Sequence, residues 1–378
     1  MIGYYIHHHG HGHVHRASTI ARAVARTHGL EVTGLSSRPR PADWAGPWVI
    51  LADDAVPDLG AGSNPTAFGV LHHVPTGHPG LRARSAAVSA WIAATGPMAL
   101  VVDVSVEMAV LARLHGVPVV TVGMPESRHD HAHEIGYGVS DLTVGPWPAA
   151  ASRWLHGGSP ADRLHAVGAI GRFTPADRPA DVRRRHAVVL NGTGGSSAAD
   201  PTSLSADMVS AVDAAGGDWS LEYLAGAGHW VDDPWSRLST AEVVVSHCGQ
   251  NAVAEIAAAR RPAVLVPGSR PFDEQWATAR ALRELALPAV VLDSWPAPEQ
   301  WSALLDRAAM LDGADWVRWN DGGGAERAAD LITTVAHGQA PPTGADDGSI
   351  VTLLPTSGDR RGWPGGADDG RDHDARIA

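Results

Sequence analysis

Along the first part of the chain, short continuous apolar runs alternate with segments whose apolar positions recur at helical spacing. The run Ile2 to Ile6 leads through a glycine-rich turn into a stretch that places Val14, Ala17, Ile20, Ala21 and Val24 on one face, which predicts strand, turn and helix. Further strands are expected at Glu31 to Leu35, Trp48 to Leu51, Ala99 to Val102, Val117 to Val122 and Asp141 to Val144, with a helix over Val106 to Leu114. Strands that are apolar along their whole length need cover on both faces, so the pattern implies a parallel sheet between layers of helices.

After a short run near Leu164 to Val167, the segment GAIGRFTPADRPAD is aperiodic and rich in Gly, Pro and charge, the mark of a linker. From about Asp181 the alternation resumes, with strands expected at His186 to Leu190, Ser220 to Leu224, Val243 to Val245, Ala263 to Val266 and Ala289 to Leu292. The expected organisation is a domain over 1–167, a linker over 168–180, a second domain over 181–340 and a tail over 341–378. The 38 tail residues hold 7 Gly, 4 Pro and 7 Asp, too little apolar material to offset the entropy of ordering, so a disordered tail is expected. The fold class is therefore α/β, with two doubly wound, Rossmann-like domains facing across a cleft. Ligands of such sheets bind beyond the carboxyl ends of the strands.

Composition narrows the function. The 29 basic residues are all arginine against 41 acidic ones, for a formal charge of −12, which disfavours a phosphate-neutralising nucleic-acid binder. Cys248 is the only cysteine, which excludes an internal disulfide and any cysteine-based zinc cluster and fits a reducing, cytoplasmic compartment. No run of 18 apolar residues exists, and the N-terminus lacks the basic and apolar regions of a signal peptide. Six of the 21 histidines fall at positions 7, 8, 9, 11, 13 and 15.

The richest segment is VVVSHCGQNAVAEIAAARRPAVLVPGSRPFDEQ, Val243 to Gln275. A strand ends at Val245, and Ser246, His247, Gly249, Gln250 and Asn251 then open a helix whose free N–H groups and positive dipole end suit a diphosphate. Gly249 allows close backbone approach, and Glu255, one turn after Asn251, could accept both hydroxyls of a ribose. A helix with a polar start and one surface glutamate is the plainer alternative.

His247-Cys248-Gly249-Gln250-Asn251 followed by Glu255 resembles the His-Cys-Gly-Trp-Asn-Ser...Glu signature of nucleotide-sugar glycosyltransferases of GT-B fold. EIAAARRPAVLVP and FDEQ resemble the bacterial family 28 enzymes that add N-acetylglucosamine to lipid-linked peptidoglycan precursors. The resemblance implies a GT-B fold with an acceptor-binding first domain and a donor-binding second domain. It implies that His247, Gly249, Gln250 and Asn251 hold the donor diphosphate, Glu255 the ribose, and Glu274 with Gln275 the sugar hydroxyls. Gln250 stands where the plant enzymes have Trp, and Ala252 where they have a phosphate-binding Ser. Trp230 and Val231 are similar to the segment that presents backbone groups to the base; a hydrophobic turn is the alternative. Gly194, Gly195 and Ser196 in NGTGGSS form a candidate anion nest and match the family's first donor loop.

In such enzymes the loop after the first strand ends in Gly-His, and Gly12-His13 resembles that pair. His13 would then be the general base on the acceptor hydroxyl, a task that suits imidazole, with His11 as fallback. Asp103, after the strand Ala99 to Val102, resembles the Asp that orients the histidine in the plant enzymes; the alternative is an N-cap for the helix near Val106. The histidine cluster lacks the carboxylate of His-X-His-X-Asp-His metal hydrolases, and alternation scatters its rings, so no metal and no cofactor are expected. His129, His131 and His133 either face an acceptor or form a solvated helix face, the reading favoured here.

The 14 tryptophans suit either core or acceptor walls. The resulting expectation is inverting, metal-independent sugar transfer from a nucleoside diphosphate sugar, UDP rather than TDP, to a small-molecule or lipid-linked hydroxyl, with no nucleic-acid partner and at most peripheral membrane contact. A nucleotide-sugar 2-epimerase and a non-catalytic nucleotide-sugar binder are the alternatives.

Overall fold

The computed structural model describes residues 1–8, 10–55, 61–125, 130–155, 158–176, 181–190, 218–224, 231 and 233–341. Gly194, Gly195, Ser196, Trp230, His129 and the expected tail beyond Pro341 lie outside the described residues.

The first lobe is built on a seven-stranded parallel sheet of order β3-β2-β1-β4-β5-β6-β7. Its strands are β1 (Ile2–Ile6), β2 (Val32–Ser36), β3 (Trp48–Ile50), β4 (Leu100–Asp103), β5 (Val119–Val122), β6 (Leu142–Gly145) and β7 (Leu164–Ala166). Five of them, β1, β2, β4, β5 and β6, are buried at every position, as continuous apolar runs require of a sheet covered on both faces. The covering helices are α1 (Gly12–His28), α2 (Pro79–Thr95), α3 (Val106–Leu114) and α4 (His131–Val139). Between β1 and β4 the strand order changes direction, and Ile6 at the end of β1 pairs with Asp103 at the end of β4. That crevice is where a doubly wound sheet receives ligands.

The second lobe has a five-stranded parallel sheet of order β12-β11-β10-β8-β9, comprising β8 (Arg183–Leu190), β9 (Ser220–Leu224), β10 (Ala241–His247), β11 (Ala263–Val266) and β12 (Ala289–Val291). Its helices are α5 (Trp235–Thr240), α6 (Gln250–Ala258), α7 (Glu274–Glu284) and α8 (Trp301–Ala309). Here too the order turns, between β8 and β10, and α6 starts just beyond the end of β10.

The chain then returns. Helix α9 (Gly324–Ala336) follows the second sheet in sequence, yet its buried face, Ala325, Ala328, Ala329, Ile332 and Val335, packs in the first lobe's core with Ala17, Ile20 and Val24 of α1. The amphipathic stripe is visible in the sequence, but its partner lies about 300 residues upstream, so grouping 324–336 with the second domain follows chain order and not packing. At the surface of this contact Arg26 pairs with Glu326 and His28 with Asp330, exposed pairs worth roughly 0–1 kcal/mol each.

Candidate active site

At the crevice of the first sheet, α1 begins at Gly12 and sets His13 on its first turn. The ring Nδ1 of His13 lies 3.1 Å from Oδ1 of Asp103, which is fully buried at the end of β4. Asp103 is not a helix cap: Ser105 takes that role for α3, its Oγ accepting from the Met108 amide at 3.3 Å. Asp103 also accepts a hydrogen bond from Arg16 NH2 at 2.6 Å. Burial pushes the Asp103 carboxyl up, but Arg16 and then His13 outweigh it and hold it at about 2. The carboxylate is therefore anionic. His13 Nδ1 lies 3.1 Å from this acceptor and 3.2 Å from Arg16 NH2, which can only donate; with its proton on Nδ1 the ring bonds Asp103 and leaves Nε2 as the basic nitrogen. Val104, immediately after Asp103, has φ of +62°, a strained conformation for a β-branched residue.

Two helix starts meet across the cleft. Helix α6 opens at Gly249, which has no side chain with which to cap the first N–H groups. Gly12 abuts this point: a Cβ there would lie 1.9 Å from Asn251 Nδ2, so any larger residue would displace the Asn251 side chain. Around it, His247 Nδ1 donates to the Val266 carbonyl at 3.0 Å, and Gln275 Oε1 accepts from the Gly268 amide at 2.8 Å. The two groups flank Gly268, where a Cβ would meet both. Just before Glu274 and Gln275, Phe272 and Asp273 have φ of +57° and +54°. Val231 is partly buried against the second lobe's core. His247, Gly249, Gln250, Asn251 and Gln275 are thus brought together at one end of the sheet.

Among solved structures, a glycosyltransferase of kitacinnamycin is similar over 88% of this chain and 98% of its own, with 19% identity and a TM-score of 0.63. MurG of Acinetobacter baumannii is similar over 88% and 99%, with 18% identity and a TM-score of 0.58. The spinosyn rhamnosyltransferase SpnG, complexed with thymidine diphosphate, is similar over 89% and 100%, with 16% identity and a TM-score of 0.58. These likenesses establish the fold. No curated protein sequence matches the chain. Residues 229–308 match the glycosyltransferase family 28 C-terminal domain, a span that contains β10, α6 and α7. The second lobe thus carries a match to the family 28 C-terminal domain, within a chain of GT-B fold.

In this GT-B protein the remaining expected residues have definite surroundings. Glu255 is buried and engaged by Arg172 of the segment between the lobes, whose Nε donates to Oε1 at 2.8 Å. Burial nonetheless pushes its carboxyl up, with Arg172 pulling the other way. Arg172 also contributes, after burial, to holding His15 down at about 4. The expected solvated face of α4 is corrected at His133, which is buried with Nδ1 2.7 Å from Asp130 Oδ1, while His131 is exposed. His133 and Tyr137 help line a small cavity of about 20 Å³ with Val104, Val106, Val122 and Met124. This largely apolar cavity adjoins the His13–Asp103 pair through Val104 and Met124. At its edge the rings of His72, His133 and Phe272 meet, 5.2 to 6.4 Å apart, joining both lobes of the GT-B fold.

Six tryptophans, 44, 147, 219, 301, 316 and 319, are buried. Among the described residues, His8, Asp53 and Asp54 bring three ligand-type atoms within 4.8 Å of one another, and Arg84 sits 3.0 Å from Asp54. No helix is long and apolar enough to cross a membrane among the described residues. Two functional arginines, Arg16 and Arg172, went unread in the sequence. The His-x-x-Arg spacing, which puts Arg16 one turn beyond His13, is the signal that could have found the first.

Proposed function

We propose that the protein transfers a sugar from a nucleoside diphosphate sugar to a hydroxyl of a small-molecule or lipid-linked acceptor, with inversion at the anomeric carbon and without a metal. One observation carries this reading: a histidine oriented by a buried carboxylate stands at the same junction as the open N-terminus of α6. The acceptor would lie beside the His13–Asp103 pair, along the apolar wall that Val104 and Met124 begin. His13 Nε2 takes the proton of the acceptor hydroxyl as its oxygen attacks the anomeric carbon from the side opposite the diphosphate. The bond from that carbon to the β-phosphate oxygen breaks, and the electron pair leaves with the nucleoside diphosphate. The N–H groups of α6, together with His247 and Asn251, would stabilise the charge that develops there, the work a metal does in other transferases.

Glu255 would accept from the ribose with the lone pairs that Arg172 does not use, and Glu274 with Gln275 would hold sugar hydroxyls. Gly194, Gly195, Ser196, Trp230 and Val231 complete the proposed donor set. Proteins of this fold have been solved with UDP and with thymidine diphosphate; the motif resemblance favours UDP here. Ligand-observed binding of UDP- and TDP-sugars, followed by transfer and hydrolysis assays of the best binder, tests the reading. Activity should survive chelator and be lost in His13→Ala. Epimerised sugar from donor alone would establish the epimerase instead, and full function of His13→Ala a binding protein or a different base.

A further inference from the structure

Arg16 is 1% exposed, an unusual place for a guanidinium. Its two terminal nitrogens reach in different directions. NH2 donates to Asp103 Oδ1 at 2.6 Å within the first lobe, and NH1 donates to Oε1 of Gln250, the first residue of α6 in the second lobe. Because the guanidinium only donates, it fixes the Gln250 amide with its oxygen towards Arg16. The amide Nε2 is then the outer end, and it is buried without a hydrogen-bond partner among the described residues. Asp103 Oδ2 is likewise buried without a partner. A buried cation joined to one carboxylate is weak support for stability in itself, so its position between two lobes asks for a role in specificity.

We propose that Arg16 is a positioning residue that makes the base depend on the seating of the second lobe. It steadies the Asp103 carboxylate that orients His13, and its other arm is satisfied only when Gln250 is docked. The same bond turns Gln250 Nε2 outward to donate to an oxygen of the bound donor's diphosphate or sugar. The inference rests on the sugar-transfer reading for the identity of that oxygen, whereas the coupling between Gln250 and His13 stands apart from it.

The full chain labelled with 15N-histidine separates the two. The His13 ring signals are identified by their loss in His13→Gln, and their shifts report which nitrogen carries the proton. In the unaltered protein Nδ1 should be protonated. Gln250→Leu, a change in the opposite lobe, should move His13 towards mixed tautomers, and Gln250→Glu, which keeps an acceptor for Arg16, should restore the original signature. Calorimetry with UDP and TDP alone should show Gln250→Glu binding about tenfold more weakly despite that rescue, since a donor has become an anion. Arg16→Lys, which keeps the charge but not the fork, should behave as Gln250→Leu does in the tautomer assay. An unchanged His13 signature in Gln250→Leu overturns the coupling, whatever the nucleotide data show. Failure of the unaltered protein to bind either nucleotide overturns the sugar-transfer reading and leaves the tautomer result to judge Arg16.

Discussion

Asp103→Asn is the most searching single change, because it is isosteric and removes one charge from between the buried Arg16 and the half-buried His13. The carboxyl sits at about 2 in the folded protein against an ordinary value of 3.8, so its ionised form is favoured on folding. A depressed carboxyl contributes stability that is complete above the unfolded value and lost as pH falls through about 2; the contribution near neutral pH is of order 2 kcal/mol. The asparagine variant forfeits this and leaves Arg16 as a buried cation without its anion, so a loss of about 3–5 kcal/mol is expected.

Catalysis suffers for a separate reason. Arg16 and His13 share Oδ1, so an amide at 103 that keeps its oxygen there still accepts from both, but without charge. The imidazolium that forms as His13 takes the acceptor's proton then lacks its counter-charge, and kcat should fall roughly 10²- to 10⁴-fold. Denaturant titration and steady-state kinetics on the folded variant, at saturating donor, measure the two effects independently. A folded Asp103→Asn protein whose kcat lies within threefold of the unaltered chain would refute the assignment of His13 and Asp103 as an oriented base.

Three further outcomes follow from named contacts. Gly12→Ala drives a Cβ to 1.9 Å from Asn251 Nδ2, so the Asn251 side chain must swing aside; nucleotide affinity should weaken as that side chain leaves the donor site, and unchanged affinity by calorimetry counts against Asn251 as a diphosphate ligand. Glu255→Ala should weaken UDP by about tenfold more than TDP, because a carboxylate that accepts from two ribose hydroxyls loses more than one facing a deoxyribose; equal losses by calorimetry would assign Glu255 to holding Arg172 alone. His15 is held at about 4 against an ordinary 6.5, so the unfolded chain binds the proton more readily and stability contributed by this site falls as pH drops from 6.5 towards 4. His15→Gln should flatten the dependence of unfolding free energy on pH across that window, and parallel curves would show that His15 is not depressed.

Much of the fold was legible because parallel sheets covered on both faces leave an unmistakable trace, runs such as Ala99 to Val102 with no polar interruption. The helix Val106 to Leu114 was read at its observed bounds from its apolar spacing alone, since the residue that caps it is Ser105 and not the Asp103 considered for that place. Helix α2 was not read. Its buried positions include only Val88 and Ile92 among apolar residues, with Arg84 as the third, so it carries little of the 3.6-residue period on which such a reading depends. Arg84 is buried because Tyr5, Ala52 and Asp54 supply its partners, and none of these is local in sequence.

The same asymmetry governs the site. His13 and the Gly249 to Glu255 stretch could be placed because they resemble a family signature, and Asp103 because it ends an apolar strand at the carboxyl edge, where such sheets receive ligands. Arg16 obeys no such rule. It lies between the buried residues Val14 and Ala17 of an otherwise apolar face, where an arginine costs several kcal/mol unless it is paired. Its partners lie 87 and 234 residues away in the chain. Local patterning records which positions are buried, but not which distant group makes a buried charge tolerable. Where a charge breaks an apolar stripe one turn from a candidate base, the interruption itself is therefore the informative feature: the fold must provide a counter-ion at that depth, and for Arg16 the counter-ion is the carboxylate that orients His13.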